Sequence, residues 1–217
     1  MNSSSFTKSY NGRTVLNFPD FEWPEGQITA VIGANGSGKS TLARVLAGIE
    51  SADVKTCPLS ACSVGYLPQK SYAFRMSTLR NIALNGNDAA RQAYLINALQ
   101  LETLQNQPAK KLSGGETSKM ALARLLMGSY ELLIFDEPTA AMDMESTLAA
   151  EMLIKERCRE TGCTVILITH SIRQAQRIAD RLIFMSKGRL VEYGNAEEVL
   201  SSPREEETRR FLDFYGR

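Results

Sequence analysis

Ile28-Thr29-Ala30-Val31-Ile32-Gly33-Ala34-Asn35-Gly36-Ser37-Gly38-Lys39-Ser40-Thr41 is the stretch on which the fold turns. Its first five residues suit a strand buried on both faces. Gly33 to Ser40 match the pattern GxxxxGK(S/T), and helix-prone residues 42–47 follow. Strand, glycine-rich loop and helix in that order are the context a phosphate-binding loop requires. Glycines let the backbone curl so that successive N–H groups face one point, and the helix adds its positive end. Gly33, Asn35, Gly36, Ser37, Gly38, Lys39, Ser40 and Thr41 therefore form the expected cradle for ATP or GTP. In it Lys39 would neutralise the β and γ phosphates and the Ser40 hydroxyl would ligate Mg²⁺. A Gly/Ser-rich turn could match the pattern by chance, but the strand-to-helix setting argues against that.

Outward from this stretch, apolar runs recur at 64–67, 132–135, 165–169 and 182–185 between helical segments. Continuous runs of this kind predict an α/β fold with a mainly parallel sheet covered by helices. Between 71 and 112 the pattern changes: 78–84 and 89–101 have helical periodicity, and no buried strand interrupts them. This segment reads as a helical insertion, with turns at Asn85-Gly86 and Asn106-Gln107-Pro108. Residues 182–186 and 189–193 predict a hairpin across Lys187-Gly188, and two short helices are expected at 196–200 and 205–214. The whole chain, 1–217, is expected to be one domain with the 71–112 insertion and no regulatory domain after it.

The run Glu131-Leu132-Leu133-Ile134-Phe135-Asp136-Glu137 is a buried strand ending in two carboxylates. Asp136 at the strand end is placed to hold Mg²⁺ through water, opposite the loop serine. Glu137, one position on, points elsewhere and can polarise an attacking water. Two acidic residues could also simply cap the next loop, but adjacency after a buried strand favours the chemical reading.

Composition narrows the classes further. Hydrophobic residues make up 43% of the 217, enough for a sizeable core. Lys+Arg total 25 against Asp+Glu 24, so no basic excess favours nucleic acid as a partner. Glu205-Glu206-Glu207 sit beside Arg204, Arg209 and Arg210 and read as a solvated, internally balanced helix face. Residues 1–5 carry no apolar segment of the signal-peptide kind, and no window approaches a bilayer-spanning length. Cys57/Cys62 and Cys158/Cys163 lack zinc-knuckle spacing, which suggests reduced thiols and a cytoplasmic chain.

Leu112-Ser113-Gly114-Gly115-Glu116, just before a helix-prone segment, resembles the LSGGQ motif of the ATP-binding cassette (ABC) ATPases, with Glu as its last residue. Alone, such a stretch would be an ordinary helix cap. In order with the loop and the carboxylate strand it identifies a member of that family. The resemblance implies further roles, position by position. Tyr10 is similar to the aromatic residue that stacks on adenine, although a tyrosine there could equally be a packing residue. Gln69, in Gly65-Tyr66-Leu67-Pro68-Gln69, is similar to the glutamine that reaches Mg²⁺ and the attacking water and begins the segment that senses a membrane subunit. Pro138-Thr139-Ala140-Ala141-Met142-Asp143 resembles the loop that crosses the dimer interface, with Asp143 as its marker. His170 is the only histidine. A lone histidine at a strand end is more often structural, but its place after the carboxylate strand fits the family's γ-phosphate contact.

From the resemblance follows a P-loop NTPase core with a small N-terminal antiparallel β subdomain and an inserted helical subdomain. It also implies ATP and Mg²⁺ as ligands, with Glu137, His170, Gln69 and Lys39 as the catalytic set and Ser40, Gln69 and Asp136 at the metal. Ser113, Gly114, Gly115 and Glu116 would complete the nucleotide site of a second copy, making a homodimer with two ATP molecules sandwiched between the chains. The implied partners are integral membrane permease subunits and, indirectly, an extracellular substrate-binding protein, with the cassette on the inner face of the cell membrane. Met1–Ser9 lacks the usual apolar strand before the adenine-stacking residue, and Lys39 to Gln69 is only thirty positions; both predict a short N-terminal sheet. The motif set looks most like importers of tungstate and related oxyanions. Polar amino-acid importers, a short export cassette of the cytochrome-maturation type, and an iron–sulfur assembly ATPase are the alternatives, and Pro138-Thr139 argues against the last.

Overall fold

Continuous apolar runs have nowhere to go but the middle, and the computed structural model places them there; it describes residues 1–53 and 62–215. In chain order the strands and helices are β1 (Asn2–Ser3), β2 (Phe6–Tyr10), β3 (Arg13–Phe18), β4 (Phe21–Glu22), β5 (Ile28–Ile32), α1 (Lys39–Leu46) and β6 (Val64–Leu67). There follow α2 (Thr78–Ile82), α3 (Ala89–Ala98), α4 (Gly114–Met127), β7 (Leu132–Asp136), α5 (Met144–Thr161), β8 (Thr164–Ile168) and α6 (Ile172–Ile178). The chain continues through β9 (Arg181–Ser186), β10 (Arg189–Asn195), α7 (Ala196–Ser201) and α8 (Glu206–Tyr215).

Six strands form the central sheet in the order β10-β9-β5-β8-β7-β6, parallel except where β10 folds back on β9. Every residue of β5, β7 and β8 is buried, as expected of strands covered on both faces. On one face Leu133, Phe135, Val165 and Leu167 pack against apolar residues of α4 and α5. On the other, Ile134, Ile166 and Ile168 meet Leu42 and Leu46 of α1 and the aromatic residues Phe18 and Trp23. Ala30, Ile32 and Phe184 lie under Ala175, Val199 and Phe211 of the last three helices. Because parallel strands all end on the same side, the loops after β5, β7 and β8 meet at one edge. That edge carries Gly33 to Ser40, Glu137 and His170.

The N-terminal region is the small antiparallel subdomain expected, built of two short ribbons. A strand does precede and include Tyr10: β2 pairs antiparallel with β3 across an Asn11-Gly12 turn, and β1 pairs with β4. The stretch lacks the apolar run that was sought because only Phe6 of β2 is fully buried, while Thr7, Lys8 and Ser9 are partly exposed. The expected helix at 78–84 ends as α2 at Ile82 and tightens into a 3₁₀ turn over Ala83–Asn85. Cys158 and Cys163 are buried thiols, and Cys158 Sγ donates to the Cys163 carbonyl at 3.2 Å. Cys57 lies outside the described residues. No helix among the described residues is long and apolar enough to cross a membrane.

Candidate functional site

The loop leaves β5 at Gly33, whose φ is +152° and whose Cβ, if present, would run into the Met185 carbonyl oxygen. Only glycine meets both conditions. The curl that follows brings Lys39, the first residue of α1, back beneath the loop. Its Nζ donates to the carbonyls of Gly33 at 2.7 Å and Ala34 at 2.9 Å, and lies 3.4 Å from Ser37 Oγ. The lysine is 6% exposed, and among the described residues no carboxylate lies within ion-pair distance. Burial lowers its pKa, opposed by the more distant charges of Glu137 and Asp136. A desolvated ammonium held by neutral oxygens at a helix start is a position where an anion is stabilised.

Next to it, Ser40 Oγ donates to Asp136 Oδ1 at 3.1 Å, and the Tyr66 hydroxyl donates to Oδ2 at 3.4 Å. Asp136 is buried at the end of β7, and that burial raises its carboxyl above the usual range. Burial and the facing carboxylate push the Tyr66 phenol up to about 12. A hydroxyl and a desolvated carboxylate side by side are hard oxygen donors, the kind Mg²⁺ takes while filling its remaining positions with water and phosphate oxygens. The donor set fits that ion.

Glu137 follows Asp136 directly and has a φ of +50°. A side chain rarely adopts that region, and such strain concentrates at working sites. The turn is fixed by the Glu137 amide donating to the Ile168 carbonyl at 2.9 Å. It aims the carboxylate away from Asp136 and toward two other groups. Glu137 Oε2 accepts from Gln69 Nε2 at 2.9 Å and lies 3.3 Å from His170 Nδ1. His170 itself is 62% exposed. Gly33, Asn35, Gln69, Glu137 and His170 line a cavity of about 260 Å³. A neighbouring one of about 350 Å³ shares Asn35, Gln69 and Glu137 with it and continues along the loop to Thr41.

Several expected residues line neither cavity: Tyr10, Ser113, Gly114, Gly115, Glu116, Asp143 and the buried Asp136, which reaches the site through Ser40. Ser113 instead caps α4, accepting from the Glu116 amide at 3.3 Å, while Glu116 Oε2 accepts from the Ser113 amide at 2.7 Å. This reciprocal capping box leaves Ser113 and Gly114 exposed. Asp143 likewise caps α5, accepting from the Ser146 amide at 2.8 Å. Within one chain, Gln69, Glu137 and His170 gather beside the glycine-rich loop, and the exposed start of α4 stands apart from both cavities. Sequence reading missed Val15, Phe211 and Tyr215, which do line the cavities. Helix α8 carries both aromatics; the sequence predicts a helix there with a balanced charged face, and the i, i+4 spacing of the aromatics is the further signal it offers.

Comparison with known proteins bears on this geometry. The family model described as ABC transporter matches residues 16–140. The chain is 36% identical to the tungstate uptake system ATP-binding protein of Peptoclostridium acidaminophilum, over 87% of this chain and 95% of that protein. It is 30% identical to the L-cystine transport system ATP-binding protein of Escherichia coli (strain K12), over 96% and 95% respectively. In structure it resembles a dimeric ATP-binding cassette in a post-hydrolysis state bound to ADP and phosphate. The TM-score is 0.76 at 21% identity, covering 90% of this chain and 98% of that one.

Proposed function

The chain belongs to the ABC transporter family of ATP-binding, ATP-hydrolysing subunits, and from that premise we propose that two copies enclose two ATP molecules and drive an importer of a small oxyanion such as tungstate. The observation that carries the site reading is the buried Lys39 ammonium, with no carboxylate in ion-pair distance among the described residues, beside the Ser40–Asp136 pair. In this reading the loop amides of Gly33 to Thr41 and Lys39 hold the phosphates. Ser40, Asp136 and Gln69 would hold Mg²⁺, which would supply positive charge to offset the negative charge that develops on the phosphate oxygens. Gln69 and Glu137 orient a water; its oxygen adds to the γ-phosphorus as the bond to the β-phosphate oxygen breaks, and Glu137 accepts a proton. His170 contacts the γ-phosphate, and Tyr10 stacks on the base.

A second copy supplies what one chain leaves out. Ser113, Gly114 and Gly115 present an exposed helix start, a good partner for the γ-phosphate of the neighbour's ATP. Asp143 and the loop before it run along the same interface. The exposed capping box, which stands apart from both cavities, supports this arrangement, as does the dimeric state of the ADP-bound cassette of the same fold. The insertion at 71–112 would meet the permease. Tyr72 and Phe74 are exposed there, and Lys110 Nζ sits 4.2 Å from the Tyr72 ring centroid. On this reading the chain lies at the inner face of a membrane, with a substrate-binding protein acting on the far side. The tungstate relative favours an oxyanion as cargo, and the cystine relative supports an amino acid as the second reading.

Glu137→Gln tests the hydrolytic assignment. Turnover should fall by about 10²–10⁴-fold, the usual worth of a positioned base, while ATP affinity is retained and an ATP-bound dimer accumulates. Hydrolysis at the parental rate would remove Glu137 from the mechanism.

A further inference from the structure

Tyr10 is held from more than one side. It closes β2 at the tip of the hairpin, and its phenol donates a short hydrogen bond to Glu50 Oε2. The other oxygen of that carboxylate, Oε1, lies 2.8 Å from Nε of Arg44. Arg44 belongs to α1, the helix that opens with Lys39 and Ser40. Its carbonyl accepts from the amides of Ile49 at 2.9 Å and Glu50 at 3.2 Å. The carboxylate that grips the phenol is therefore tied through both side chain and backbone to the helix that carries the phosphate-binding lysine. One face of the Tyr10 ring is taken by Lys8, whose Nζ stands 5.3 Å from the ring centroid and donates to the Ser51 carbonyl at 2.8 Å.

We propose that Glu50 is a positioning residue for the nucleobase: by holding the Tyr10 hydroxyl and the Arg44 guanidinium together, it fixes the Tyr10 ring relative to α1, so that base and phosphates engage at once. This rests on the reading of Tyr10 as the residue that stacks on the base. Without the brace, a 40%-exposed tyrosine at a hairpin tip must give up its side-chain freedom on binding. With it, that ordering precedes the ligand. The hydrogen bond to Glu50 is also the leading reason the Tyr10 phenol titrates above its ordinary value. The position requires tyrosine rather than phenylalanine, because only the hydroxyl links the ring to α1.

The test compares ATP with tripolyphosphate, which has no base, binding to the full chain in the presence of Mg²⁺. Glu50→Ala and Tyr10→Phe should each weaken ATP binding by about two- to ten-fold, the factor one ordinary hydrogen bond is worth. The double variant should be no worse than either, since both remove the same link. Tripolyphosphate affinity should stay at the parental value, which also reports that the loop is folded. Equal loss for both ligands would assign Glu50 to the general fold and overturn the proposal, as would unchanged ATP affinity. Tyr10→Ala separates the underlying reading. If it leaves ATP affinity untouched, base stacking on Tyr10 fails and this inference fails with it, whatever Glu50→Ala shows; if it weakens ATP alone, a negative Glu50 result sinks only the brace.

Discussion

Asp136 illustrates how a working site is held at some cost to stability. Its carboxyl is raised by burial, so the charged form is disfavoured in the folded chain relative to the unfolded one. A raised folded-state value means that stability is fullest below the ordinary carboxylate range and declines as pH rises through the folded value. Asp136→Asn keeps the shape and removes the charge. Thermal unfolding of the ligand-free protein at neutral pH should therefore shift upward by about 2–4 °C, the scale of a 1 kcal/mol change in a domain of this size. Below about pH 4 the gap between variant and parent should close. Mg²⁺-dependent hydrolysis should be lost. A variant that melts lower than the parent at pH 7 would show that the hydrogen bonds from Ser40 and Tyr66 outweigh desolvation. At this scale the sequence was informative about identity and poor about aim. Glycine spacing and adjacent carboxylates placed Lys39, Ser40, Asp136 and Glu137 at one edge. No linear pattern could reveal that Glu137 turns through a positive φ toward Gln69 and His170, because that turn depends on a hydrogen bond to β8.

Among the elements, the buried strands were the most legible, since a strand covered on both faces must be apolar throughout. The N-terminal antiparallel strands were legible only through the family resemblance, because a two-stranded ribbon set by its Asn11-Gly12 turn needs no apolar run. Helix starts carry a double meaning in the same way. Ser113 and Asp143 were singled out for a role between copies, yet within one chain each caps a helix. The two contributions can be separated at Asp143. Asp143→Asn retains a good capping oxygen and should leave the unfolding midpoint within about a degree, whereas Asp143→Ala should cost ~1 kcal/mol. If Asp143 also serves the interface through its charge, Asn will lower ATPase activity without lowering stability. Parental activity in the Asn variant would confine the residue to its cap. Helix α8 shows the opposite failure: its charges drew attention, while the i, i+4 spacing of Phe211 and Tyr215 marks an apolar face whose place beside the Glu137 cavity shows only once the helix is folded back over β9.

For the whole molecule, the proposal is that each chain carries two half-sites. One edge of the sheet gathers the glycine-rich loop, the Ser40–Asp136 pair and the Gln69–Glu137–His170 group, and the exposed cap at Ser113 lines neither cavity there. The most direct test uses two disabled versions of the same chain. Lys39→Ala removes the cradle's cation, and Ser113→Arg blocks the helix start while leaving the cradle intact; each alone should hydrolyse little ATP. In a mixture, a dimer of one with the other contains one intact pairing of loop and helix start. Steady-state ATPase activity is measured for each variant separately and for the equimolar mixture. A site shared between copies predicts that the mixture regains a substantial part of the parental activity. Activity no greater than the average of the two variants would mean that each chain completes its own site, and would contradict the account.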